Sequence, residues 1–177
     1  ITGNANVTLK NCHLTSANNT SDAKGLFSFS GGKVNLKLVG TNSIFYTGTD
    51  DTYTIGSKNA DEDLSISGEG ELYLKNVSLK TEASKIEIEN SKIYCDRTIK
   101  AVGELKLTGN SALAVDTVGL SKPSKLILDG DNVIYFKNPD LAGVFEEEFN
   151  KGIVYIGTTV TVDSDKSVKL KDGFGVI

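Results

Sequence analysis

The chain has 177 residues, 38% hydrophobic and 24% charged, with 19 Lys plus Arg against 23 Asp plus Glu and a net charge of −4. That length suits a single domain spanning 1–177, and the mixed charges lack the clustered positive face that contact with nucleic-acid phosphates requires. No run of about 18 apolar residues is present to insert in a membrane, and 18 Gly against 2 Pro call for many tight turns, a β-rich composition.

From the N-terminus, Ile1 follows neither an initiator Met nor a charged-then-apolar leader, as expected of a fragment of a longer protein. The first predicted strand is Val7-Thr8-Leu9, with Asn11 after it. Its pattern is an apolar-x-apolar pair, a polar step, then Gly or Asn, then a second apolar-x-apolar pair. It returns as Leu36-Lys37-Leu38 with Gly40, Leu64-Ser65-Ile66 with Gly68, Ile86-Glu87-Ile88 with Asn90 and Leu105-Lys106-Leu107 with Gly109. Leu126-Ile127-Leu128 with Gly130 follows, and Val160-Thr161-Val162 with Ser164 is the last and weakest copy. Alternation over three positions turns one face of a short strand inward, and Gly or Asn is the residue type that tolerates a left-handed bend.

A third apolar patch lies between copies, at Leu26, Phe27 and Phe29, Tyr53 and Ile55, Val77 and Leu79, Ile99 and Val102, and Val118 and Leu120. Three short strands in a repeat of roughly 20–30 residues predict a right-handed parallel β-helix of about seven coils. A β-sandwich or up-and-down barrel is the competing fold. One stretch breaks the pattern: Asn138 as cap, Pro139 at the first helical position and Gly152 as stop, with Leu141, Phe145 and Phe149 four residues apart, predict a short helix near 140–150.

In register, the copies predict one inward column of Leu14, Ile44, Leu72, Ile93, Leu113, Ile134 and Val168. The next is Tyr46, Leu74, Cys95, Val115, Phe136 and Leu170, which makes Cys95 a buried thiol and leaves Cys12 more exposed. Without CxxC or Cys/His ligand spacing, two free thiols are expected.

The phrases Val34-Asn35-Leu36-Lys37-Leu38-Val39-Gly40-Thr41-Asn42, Tyr53-Thr54-Ile55-Gly56 and Leu64-Ser65-Ile66-Ser67-Gly68-Glu69-Gly70-Glu71-Leu72 resemble a family of bacterial exported carbohydrate-binding-domain-containing proteins of the pectate-lyase-like β-helix superfamily. The resemblance is strongest over residues 34 to 74. It implies a right-handed β-helix that is secreted or at the cell surface, and it carries over no catalytic position.

Between the inward columns the same register predicts an outward column of Phe45, Tyr73, Tyr94, Ala114, Tyr135 and Lys169. Sugar rings stack C–H faces on aromatic planes, so Phe45, Tyr73, Tyr94 and Tyr135 are the candidate carbohydrate contacts; aromatic ladders also stabilise sheets with no ligand. Beside the bends, Glu89, Asn110, Asp129 and Asp131 offer the hard oxygens that calcium takes, although acidic turn residues are more often solvated. No other cofactor is implied.

An enzyme of the lyase or hydrolase type needs a base with cations or a pair of carboxylic acids. The single His13 and single Arg97 stand in no such constellation. A third class is a purely structural stalk or adhesin segment, whose uncapped ends would pack on flanking domains or on a second copy. The sequence therefore leads to a non-catalytic carbohydrate-binding or adhesin-type module whose partner is a glycan or polysaccharide.

Overall fold

The computed structural model describes residues 3–17, 25–29, 32–48, 54–57, 63–81, 85–101, 103–120, 124–137, 145–149, 151–171 and 174–176. The described residues are all-β, without a helix, and most of their strands pair in parallel. A first sheet of seven strands runs in the order β1 (Ala5–Lys10), β4 (Val34–Val39), β7 (Leu64–Ser67), β10 (Lys85–Glu89), β12 (Glu104–Gly109), β14 (Ser124–Gly130) and β16 (Phe145–Phe149). A second runs β2 (His13–Ser16), β5 (Thr41–Tyr46), β8 (Glu71–Lys75), β11 (Lys92–Ala101), β13 (Ala112–Leu120), β15 (Val133–Phe136) and β17 (Ile153–Ile156). At its far edge β20 (Phe174–Val176) pairs antiparallel with β17.

The chain visits the two sheets in turn and then a third ribbon of β3 (Gly25–Phe29), β6 (Thr54–Ser57), β9 (Ser78–Thr81) and the second halves of β11 and β13. The expected third apolar patch supplies one register line of this ribbon, Phe27, Ile55, Leu79, Ile99 and Val118. Each ladder leaves one strand face apolar, and the inward files of the two sheets meet in one core. From the first sheet come Leu36, Ile66, Ile88, Leu107 and Leu128, each at most 6% exposed. Each fully buried Leu or Ile contributes about 1.5–3 kcal/mol, shared mainly with the strands above and below it.

The bends behave as their residue types require. Asn11, Gly40, Gly68, Asn90, Gly109 and Gly130 all have positive φ, and Gly152 makes the seventh. Just past them buried polar side chains satisfy the corner. The Asn42 side chain accepts the Cys12 N–H at 2.9 Å and donates to the carbonyls of Gly40 and Glu71, Ser91 Oγ donates to Gly68 O at 2.8 Å, and Asn132 Nδ2 donates to Leu107 O at 3.2 Å.

Several expectations are corrected. Phe145–Phe149 is the strand β16, not a helix: residues four apart share a face in either element, and here the segment pairs with β14. The rest of the proposed helix, 138–144 and 150, lies outside the described residues. Val160-Thr161-Val162 is not a last parallel copy; it forms β18 (Thr159–Val162), antiparallel to β19 (Val168–Lys171). Val168 and Leu170 therefore leave the predicted columns, and Leu170 is 43% exposed.

The early register also slips by two. Val34, not Leu36, faces Leu64, and Ile44 faces Leu74 while Asn42 faces Leu72. One inward file is thus Ile44, Leu74, Cys95, Val115 and Phe136, preceded in register by Leu14, which is 39% exposed and not in the core as expected, and the other runs from Asn42 through Leu72, Ile93, Leu113 and Ile134 to Val154. A two-residue slip keeps every apolar side chain on its own face, so the alternation cannot report it.

Candidate functional site

The outward file of the second sheet runs His13, Ser43, Tyr73, Tyr94, Ala114, Tyr135 and Tyr155. Three of the four aromatic candidates, Tyr73, Tyr94 and Tyr135, are brought together in it. Phe45 is not: the slip sets it opposite Lys75, two positions along, where it is 9% exposed. Lys169 is not in the file either, being in β19, where its Nζ lies 2.7 Å from Asp163 Oδ2.

Tyr155 takes the place that sequence reasoning missed. The signal was present, because Ile153-Val154-Tyr155-Ile156 repeats Val133-Ile134-Tyr135-Phe136. The helix expected before it hid the extra turn of chain.

The tyrosines form two stacked pairs, Tyr73 with Tyr94 at 4.9 Å between centroids and 26° between planes, and Tyr135 with Tyr155 at 4.8 Å and 7°. Those distances are the parallel strand spacing, so the register sets the stacking. Ala114, between the pairs, is buried. Within each pair the rings turn one face to each other, and all four tyrosines are half-buried.

The first pair is tied into a polar network. Tyr73 OH donates to Glu71 Oε2 at 2.8 Å, and Glu71 Oε1 lies 3.4 Å from Lys92 Nζ. Burial first, then the hydrogen bond and charge of Glu71, hold the Tyr73 phenol well above its ordinary value. Tyr94 shifts the same way through burial and the Glu71 charge, and Tyr135 through burial and its neighbour Tyr155.

Along the other side of this file the β18–β19 hairpin packs on β15, β13, β11 and β8. Thr158 N–H bonds the carbonyl of Phe136 at one end, and Lys75 Nζ donates to Ser164 Oγ at 3.1 Å at the other. Val160 and Val162 are buried beneath it, separate from the main core.

The chain matches no protein-family model, no curated protein and no solved structure.

Of the candidate metal ligands, Glu89 and Asp129 share one outward file of the first sheet with Thr108 between them, Asp131 is ion-paired with Lys151, and the Asn110 N–H bonds Asn90 Oδ1 at 3.0 Å. Among the described residues no three His, Cys, Asp or Glu side chains gather where they could hold a metal ion. His13 Nδ1 lies 3.0 Å from Ser43 Oγ, and Arg97 Nη2 donates to Asn76 Oδ1 at 2.7 Å. Cys95 is buried with its Sγ 3.3 Å from Val77 O, and burial pushes its thiol up to about 12; Cys12 is half-buried, and both thiols are free.

Proposed function

We propose that the chain is a right-handed parallel β-helix of about seven coils that serves, without catalysis, as a carbohydrate-binding or adhesin-type module of an exported bacterial protein. The observation that carries the binding role is the half-buried Tyr73–Tyr94 pair, tied through the Tyr73 hydroxyl to Glu71 and through Glu71 to Lys92. A sugar offers hydroxyls to the Glu71 carboxylate and the Lys92 ammonium and C–H faces to aromatic planes, and a rigid parallel sheet holds these groups with little entropy left to lose on binding. The β-helix assignment is supported by the parallel register carried through seven strands of each sheet. Export is supported by the resemblance over residues 34 to 74.

The test is a glycan array probed with the wild type and with a Tyr73→Ala, Tyr94→Ala double variant whose circular dichroism matches the wild type. Binding that falls about tenfold or more in the variant is expected. Equal binding by both proteins, or none by the wild type, counts against the role.

A second reading, a structural stalk or adhesin segment without a glycan, is favoured by the ring stacking itself. Each pair contributes about 0.2–1 kcal/mol to the sheet whether or not a ligand exists. In that case the double variant loses stability and the array stays blank.

A further inference from the structure

Two adjoining grooves, of about 670 and 330 Å³, lie at the corner where the first sheet bends into the second, and both are lined by Glu69 and Asn90. Their origin is a mismatch of bends. Lys37 of β4 stands opposite Ser67 of β7, but β7 turns at once at Gly68 whereas β4 continues to Val39 before turning at Gly40. The recess is part of the backbone: a Cβ on Gly68 would overlap the carbonyl oxygen of Leu38, and one on Gly70 would stand 2.7 Å from the Leu38 carbonyl carbon. A volume of this order is typical of small-ligand sites.

The charges around the larger groove are left unpaired. Lys37, Glu69 and Glu89 make no side-chain hydrogen bond or ion pair among the described residues, although all three line it. In the neighbouring outward files of the same sheet the charges are bridged, Lys85 to Glu104 at 3.2 Å and to Glu87 at 3.5 Å, and Lys106 to Glu87 at 3.6 Å. The smaller groove is lined by Glu71 and Lys92, and Glu71 accepts the Tyr73 hydroxyl, so one carboxylate joins the recess to the tyrosine pair.

We infer that this corner groove is the seat of the glycan and that the glycan is a neutral oligosaccharide. The inference rests on the carbohydrate reading above and gives it a site. Glu69 and Glu89 accept sugar hydroxyls, Lys37 and Asn90 donate to ring or hydroxyl oxygens, and the chain leaves the groove across Tyr73. With two unpaired carboxylates against one unpaired ammonium, a polyuronate would be repelled.

The experiment measures binding of neutral hexose oligosaccharides and of oligogalacturonates to four proteins: wild type, Glu69→Gln with Glu89→Gln, Lys37→Ala, and Tyr73→Ala with Tyr94→Ala. Melting curves confirm that each is folded. Neutral chains are expected to bind the wild type, with about tenfold loss in each groove variant and unchanged melting. Loss in the tyrosine variant with none in the groove variants overturns the groove and leaves the carbohydrate reading standing, and a preference for oligogalacturonate overturns the ligand class. A wild type that binds neither removes both.

Discussion

The Asn90 side chain occupies the space that a Cβ on Gly109 would fill: its Oδ1 accepts the Asn110 N–H at 3.0 Å across adjacent strands, and Gly109 holds φ +69° beside it. The same arrangement recurs where Asn11 Oδ1 accepts the Thr41 N–H at 3.2 Å beside Gly40. An asparagine at one bend thus needs a glycine at the next. Gly109→Ala is expected to cost about 1–3 kcal/mol from the left-handed backbone alone, and more from the overlap. Adding Asn90→Gly removes the overlapping oxygen, so urea denaturation should find the double variant more stable than Gly109→Ala. A double variant weaker by the sum of the two single changes would exclude the steric coupling.

The hairpin should detach without unfolding the sheets. Val160 and Val162 are its buried contacts, 3% and 0% exposed, and they lie outside the main core. Replacing either by Asp forfeits about 1.5–3 kcal/mol of burial and sets a charge against the second sheet. Hydrogen exchange is expected to rise over residues 159–171 while β8, β11 and β13 stay protected. Loss of protection across all strands together would show that the hairpin is integral to the fold.

Burial holds the Asp96 carboxyl above the usual carboxylate range, against the Asn76 N–H at 2.7 Å and the charges of Arg97 and Lys75, which pull it down. The folded chain therefore keeps the Asp96 proton to higher pH than the unfolded chain, whose value is near 3.8. The resulting stability is full below that value and is lost as pH rises through the folded pKa. Asp96→Asn retains an oxygen for the Asn76 N–H and removes the charge. It should equal or exceed the wild type in stability at neutral pH and lack this decline, in denaturation measured at several pH values. Asp163, held low by Lys169, works in the opposite sense in both proteins and cancels in the comparison. A variant clearly less stable at neutral pH would mean that the Asp96 charge is favourable.

The two thiols should separate by reactivity. Cys12, half-buried, is expected to react with a thiol reagent in the native protein, whereas Cys95, fully buried and with its thiol pushed up to about 12, should react only on unfolding. Two equivalents of fast native labelling would contradict the placement of Cys95 in the inward file.

The alternating apolar pairs and the Asn or Gly bends were legible residue by residue: Val7 and Leu9 to Asn11, Ile86 and Ile88 to Asn90, and Leu105 and Leu107 to Gly109 each adopt the strand and positive-φ bend expected of them. Local preference suffices there, because one strand face must be apolar and a left-handed bend excludes most side chains. Where Phe45 stands, that Tyr155 completes a second stacked pair, and that Val160 and Val162 leave the ladder to strap its outer face were settled only by the tertiary structure. A period of two is unchanged by a slip of two, and four-residue spacing fits helix and strand alike. Such choices are made by which neighbouring strand supplies the hydrogen bonds and the volume, and those neighbours come from distant parts of the chain.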